Sequence, residues 1–318
     1  MRRVFLLSIV LILMVEVALV VPTLTFTAVG SRVLKAFASP PTPTPILSLH
    51  AQGTPPTTQA QEAYLIDADT GQVLLDVDGS QQLPVASTTK IMTAILTIET
   101  ANLDQVVTIK QDAVDEVENY NGSSAGLVAG DQIRLRDLLY GLMLPSGDDA
   151  ALAIADAVGG DVSQFVEMMN RSVQQLGLAH THYINPDGLT YTNAQGQPDT
   201  SAYSSAADLV RLTRHALANP IFAQLVQLQH YVLFPTQFHH AYTWDGIDAL
   251  LSTYPGATGV KTGFTQEAGY CLVFAATNGV HHLIGALLHD TKTDDNQRFV
   301  DARTLLDWGF ALPTAPVS

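Results

Sequence analysis

The chain has 318 residues, 47% of them hydrophobic, which is enough for one large core or two modest ones. Its formal net charge is −15, and from Gln61 onward 11 basic residues face 29 acidic ones. Such a surface repels nucleic acid and anionic lipid, and no basic stripe exists to bind either. The lone cysteine, Cys271, excludes an internal disulfide framework and a cysteine-based zinc site; within the apolar run Tyr270 to Phe274 it reads as a buried structural thiol.

Arg2-Arg3 precedes a nearly continuous apolar stretch from Val4 to Val21. A positive start and a long apolar segment read as a secretory signal or an uncleaved membrane anchor, within residues 1–38. Ala36-Phe37-Ala38 looks like a cleavage site, but Arg32 and Lys35 separate it from the apolar run, which favours an anchor. Either reading leaves the rest of the chain outside the cytoplasm. Residues 39–60 are rich in Pro, Thr and Gln and predict an extended linker with nothing to bury. A folded domain is expected over 61–312, with 313–318 as a tail.

Ala63 to Ile66 and Val73 to Val77 flank Asp69-Thr70-Gly71 and predict a hairpin. Ser87 to Thr100 predicts a helix, with Ile91, Ala94, Ile95 and Ile98 at helical spacing. Further helices are predicted over Leu135 to Leu144, Asp149 to Val158, Val162 to Leu176 and Ala206 to Ala218. Strands are predicted over Tyr231 to Phe234, Gly269 to Ala276 and His282 to Leu288, then a closing helix over Arg298 to Trp308. Strands at both ends with helices between them predict one sheet built from the two termini, beside a helical cluster. Arg298 and Asp301 read as a structural i,i+3 pair. The adjacent pairs His239-His240 and His281-His282 lack the spacing of zinc sites and read as surface or strand-edge residues.

Three short pieces offer chemistry. Ser87-Thr88-Thr89-Lys90 puts a serine and a lysine at i and i+3, on one helix face. A serine hydroxyl is a poor nucleophile until a base takes its proton, and a lysine can do so only when neutral. Burial beside a second cation, here Lys261, favours the neutral amine. Ser87 also reads as a helix cap, where backbone N–H groups could receive an oxyanion. Ser146-Gly147-Asp148 is the second piece. Lys261-Thr262-Gly263, the third, lies before the strand predicted at Gly269. Its lysine and hydroxyl suit a carboxylate and its glycine allows close backbone approach, although alone it also reads as an exposed β-turn.

In this order, Ser-x-x-Lys, Ser-x-polar and Lys-Thr-Gly are the set of penicillin-binding proteins and class A β-lactamases. The wider context resembles the serine D-alanyl-D-alanine carboxypeptidases, the low-molecular-mass penicillin-binding type. Leu83 to Ala94 resembles that family's nucleophile helix, and Leu138 to Ala151 its second motif. Asn185-Pro186-Asp187-Gly188-Leu189, Gly259 to Thr265 and Leu305 to Phe310 match as well, so the likeness runs from Ala63 to Phe310. It implies an α/β (α+β) fold of the β-lactamase/transpeptidase type: a five-stranded antiparallel sheet flanked by helices, plus an all-helical region. The β-sandwich that often follows in the family is absent from this sequence.

The resemblance also implies roles. Ser87 would be acylated, Lys90 would be its base, and Ser146 would relay a proton to the leaving group. Asp148, Lys261, Thr262 and Gly263 would bind substrate, the lysine and threonine holding the terminal carboxylate. The backbone N–H groups of Ser87 and Phe264 would form the oxyanion hole. The implied substrates are peptidoglycan stem peptides ending in D-Ala-D-Ala, with β-lactams as covalent inhibitors and no metal or organic cofactor. A DD-endopeptidase using the same site, or a non-catalytic muropeptide-binding or β-lactam-binding protein, is the alternative. No Glu-x-x-Leu-Asn stretch supplies the deacylating glutamate of a β-lactamase. One departure stands out: the family usually has Asn where this chain has Asp148. An ionised carboxylate only accepts hydrogen bonds, and beside Lys90 it favours the ammonium over the free base.

Overall fold

The computed structural model describes residues 47–192, 195–291 and 293–316. Its first strand, β1 (Leu47–Leu49), lies inside the stretch read as a linker with nothing to bury. Leu49 is fully buried in a cluster with Leu65, Leu287 and Leu312, and its amide donates to Asp67 Oδ2 at 3.1 Å. From Leu47 the 39–60 segment therefore belongs to the folded unit. The predicted hairpin is present as β2 (Glu62–Asp67) and β3 (Val73–Val77), with Leu65 opposite Leu75. Asp67 Oδ1 accepts from Asp69 N at 3.0 Å, an Asx-type closure of the turn.

A single 3₁₀ turn, Ala86–Thr89, leads into α1 (Lys90–Thr100), so Ser87 sits just ahead of the α-helix on which the sequence placed it. Ile91, Met92, Ala94, Ile95 and Leu96 are all buried, which makes α1 a central helix with no solvent stripe. Withdrawing each large side chain from water contributes about 1.5–3 kcal/mol. β4 (Val106–Thr108), α2 (Gln111–Tyr120) and β5 (Gln132–Arg134), which pairs with β4, come next. Then follow α3 (Leu135–Met143), α4 (Asp148–Gly159), α5 (Val162–Leu176), α6 (Ala206–Leu217) and α7 (Pro220–Gln227). Ser205 Oγ caps α6 by accepting from Asp208 N, and Asn219 with Pro220 starts α7. A hairpin of β6 (His230–Leu233) and β7 (Tyr242–Asp245) and the short α8 (Leu250–Thr253) complete this part.

The chain then returns to the sheet with β8 (Ala257–Thr265), β9 (Gly269–Thr277) and β10 (His282–Leu288). After α9 (Gln297–Phe310), β11 (Thr314–Pro316) pairs antiparallel with β1, so the expected tail is also part of the fold. The sheet is five-stranded and antiparallel in the order β3-β2-β10-β9-β8, as expected, with strands from both ends of the chain. Period-two patterning assigns its faces. Cys271, Val273 and Ala275 join the core shared with the helices. Leu272, Phe274 and Ala276 face α9 through Phe299, Ala302 and Leu305. Lys261-Thr262-Gly263 precedes β9 as expected, but it also lies within a strand of its own, the edge strand β8, opposite Val273, Leu272 and Cys271.

Candidate active site

The loop Asn185–Leu189 prepares the position of Ser87. Asn185 Oδ1 accepts from Gly188 N at 2.8 Å and its Nδ2 donates to Leu189 O at 2.7 Å. Gly188 takes φ +88°, and a Cβ there would stand 2.0 Å from Ala86 O, so only glycine lets this loop close onto the serine turn. Gly263 has the same effect from the other side: its Cβ would lie 3.0 Å from Val85 O and 3.2 Å from Ser87 N. Edge strand β8 is thus brought against the turn that holds Ser87. The expected oxyanion residues, Ser87 and Phe264, belong to these two facing segments. Ala86 (φ +47°) and Ser146 (φ +67°) are left-handed without being glycine. Such backbone costs on the order of 1–3 kcal/mol and persists where the surroundings hold it.

Lys90 is fully buried. Its Nζ donates to Ser87 Oγ at 2.9 Å, to Asp148 Oδ1 at 2.5 Å and to Asp187 O at 2.9 Å. The i,i+3 spacing therefore delivers the predicted contact. Asp148 departs from the expected substrate contact: it is 1% exposed, and its second oxygen accepts from Ser123 N at 2.7 Å. Both oxygens face inward, making Asp148 the ion partner of Lys90. Asp149 points elsewhere and binds the amides of Ala125 and Leu127, tying down the 124–127 loop. A carboxylate at the first turn of α4 suits the helix dipole in either case.

On the strand side, Lys261 is 2% exposed and donates to Ser146 Oγ at 2.9 Å and to Thr262 O at 3.2 Å. Burial first, then the nearby Lys90 charge, holds its pKa well below 10.5; Asp148 and Asp248 pull the other way. Thr262 is buried beside it, while Phe264 is 38% exposed with its ring 4.3 Å from Tyr270.

Arg298 and Asp301 are not a pair. Arg298 Nη1 donates to Gly263 O at 3.4 Å, and its guanidinium lies 4.7 Å from the Tyr270 ring centre. Asp301 accepts from Gln59 N and Gln297 Nε2 instead. Sequence reasoning thus missed Arg298 as a supporter of the Lys-Thr-Gly strand, because its partner is a backbone carbonyl 35 positions away. It also gave no role to Asp187, although the residue lay within a quoted motif, nor to Glu116 on a helix that was not predicted.

Cys271 is buried, and its thiol is pushed up to about 12 by that burial. His240 and His282 bond to Asp131 and Asp69. Among the described residues, no group of three or more His, Cys, Asp or Glu could hold a metal ion. No helix among them is long and apolar enough to cross a membrane; the apolar stretch Val4 to Val21 lies outside the described residues.

The arrangement comprises a serine bonded to a buried lysine, and a second serine bonded to a second buried lysine on a strand. Comparisons with known proteins agree with it. A family model described as D-alanyl-D-alanine carboxypeptidase matches residues 50–292. A D-alanyl-D-alanine carboxypeptidase from a Streptomyces species is 38% identical over 271 residues, covering 81% of this chain and 90% of its own. One from Mycobacterium tuberculosis is 37% identical over 265 residues, covering 82% and 86%. The crystal structure of a Streptomyces DD-transpeptidase superposes with a TM-score of 0.74 at 38% identity, covering 82% of this chain and 100% of that one. By sequence and by fold, the chain belongs to the D-alanyl-D-alanine carboxypeptidase family.

Proposed function

We propose the following division of labour for a penicillin-sensitive serine carboxypeptidase that removes the terminal D-alanine from peptidoglycan stem peptides. Lys90, as the free amine, takes the Ser87 proton. Ser87 Oγ then attacks the carbonyl of the penultimate D-alanine. Negative charge develops on that oxygen, and the N–H groups of Ser87 and Phe264 receive it. The C–N bond breaks, the departing amine takes a proton through Ser146 and Lys261, and an ester on Ser87 remains. Water hydrolyses the ester and regenerates the enzyme. Lys261 and Thr262 hold the terminal carboxylate.

The observation that carries this reading is the 2.9 Å bond between Lys90 Nζ and Ser87 Oγ in a buried setting. The test combines labelling by a fluorescent penicillin with D-alanine release from a D-Ala-D-Ala pentapeptide. Both activities should be present in the full chain, and mass spectrometry should place the adduct on the peptide containing Ser87. Labelling that survives Ser87→Ala would sink the assignment. A second reading, transfer of the acyl group to an amine, draws support from the likeness to a DD-transpeptidase. Adding an amine acceptor and measuring peptide product against released acid separates the two.

The peptidoglycan substrate of the family puts the reaction outside the cytoplasm. Tethering through Val4 to Val21 accords with the Arg2-Arg3 start. N-terminal sequencing of the mature protein decides it, since a terminus at Ser39 means a cleaved form.

A further inference from the structure

Between α6 and the sheet, where β9 turns into β10, lies a cleft of about 970 Å³, a size that suits a drug-sized molecule. None of Ser87, Lys90, Ser146 and Lys261 lines it. Arg211, Arg214, His215 and Ala218 stand at i, i+3, i+4 and i+7, so one stripe along α6 faces the cleft. Leu209, Leu212 and Ala216, on the rest of the helix, are buried in the core. Leu217, Ala223, Ala276 and Ile284 give the cleft an apolar lining. Arg214 Nε donates to Ala68 O at 2.8 Å, and Arg211 Nη1 donates to Gly177 O at 2.6 Å. Carbonyls hold the two guanidiniums in place without cancelling their charge, and each guanidinium keeps further N–H donors. Asp69 also lines the cleft, but it turns both oxygens onto His282, at 2.9 Å from Nδ1 and 3.2 Å from the backbone N. His215 Nε2 bonds to Glu99 on α1 at 2.8 Å. The lining thus sets two permanent cations against one carboxylate, in a chain whose formal charge is −15. The C-terminal dipole of α6 favours Arg214 and His215 in its last turn, but Arg211 lies before that turn and gains little from it.

We propose that this cleft binds a small amphipathic carboxylate, with its apolar body on the lining and its acid group on the guanidiniums of Arg211 and Arg214. A guanidinium fork matches a carboxylate with two parallel hydrogen bonds. The body of the same molecule leaves water against Leu217, Ala223, Ala276 and Ile284. The two features select together: a neutral molecule leaves the cations unpaired, and an inorganic anion leaves the apolar lining wet. The inference does not depend on the peptidase reading, because the cleft shares no residue with the reaction above.

The probe is 1-pyrenebutyrate, an apolar ring system that bears a carboxylate, with 1-pyrenebutanol as its neutral counterpart. Equilibrium dialysis against the full chain measures both. The acid should bind roughly tenfold more tightly than the alcohol. Arg211→Gln and Arg214→Gln should each weaken the acid about three- to tenfold and leave the alcohol unchanged. Ala223→Leu adds bulk to the cleft, keeps both charges and should weaken both probes. Arg211→Gln gives up one bond to the Gly177 carbonyl, so it carries the test if Arg214→Gln, which also loosens the Ala68 turn, fails to fold. Excess benzylpenicillin should displace neither probe. Equal binding of acid and alcohol overturns the proposal, as does a failure of the acid to bind at all. So does acid binding that is unchanged in Arg211→Gln, or that benzylpenicillin displaces, since the probe would then lie elsewhere.

Discussion

The site holds two buried lysines in opposite surroundings. Lys90 is ringed by acceptors: a hydroxyl, a backbone carbonyl and the Asp148 carboxylate at 2.5 Å. Lys261 has a hydroxyl and one carbonyl, no carboxylate in contact, and the charge of Lys90 nearby. The same side chain is thus held as an ion partner on the helix and pressed toward the neutral amine on the strand. A site with two such lysines has a different amine on each side of the reacting bond, and the one on the strand is pressed toward its neutral form. The usual asparagine in place of Asp148 would leave Lys90 without its carboxylate partner and would narrow the contrast.

The contrast can be broken first on the strand side. Lys261→Ala removes the donor proposed for the charged carboxylate of the substrate. Charge-assisted hydrogen bonds contribute roughly 1.5–3 kcal/mol, so kcat/KM on D-Ala-D-Ala peptides should fall about ten- to a hundredfold. An unchanged kcat/KM rejects the role. On the helix side, Asp148→Asn removes the carboxylate from Lys90 and keeps its shape. The acid limb of acylation should move to lower pH, and the variant should react severalfold faster near neutrality. Superimposable profiles would show that Asp148 does not govern Lys90. The smallest effect is on stability. A lysine held below its ordinary value binds its proton less tightly when folded than when unfolded, so the unfolded chain keeps more protons between those two values. Stability then rises with pH across that window. Lys261→Met should therefore stabilise most at acid and neutral pH, with the gain vanishing as pH nears 10.5. Thermal unfolding across pH measures this, and a gain that grows with pH contradicts it.

Much of the site was legible because its contacts are local. Ser87 and Lys90 meet through spacing alone, and β9 and β10 announce themselves by apolar runs between turn residues. The illegible parts depend on distance or on weak patterns. Lys261-Thr262-Gly263 lies in a strand that lacks clear alternation, because residues 259–263 are buried in succession and two of them are glycine. Glu116 accepts from the hydroxyl of Tyr191, 75 positions away, and nothing in either neighbourhood announces that contact. Arg298 was assigned to a partner at helical spacing, whereas stacking on Tyr270 and Phe299 orients it. β1 and β11 have three residues each and no periodicity, so only the fold joins them.

That last pairing has a topological consequence. Leu47 stands opposite Pro316, and Cα atoms paired across antiparallel strands lie about 4.5–5.5 Å apart. The described chain therefore begins where it ends, and a bridge of very few residues would close it into a ring. Ser87, Lys90, Ser146 and Lys261 all lie far from that seam in sequence. The order in which the elements follow one another is then largely a matter of where the ring is cut. A load that enters through the segment before Leu47 first meets three paired residues that can unzip, while the two serine–lysine contacts lie beyond them in the chain.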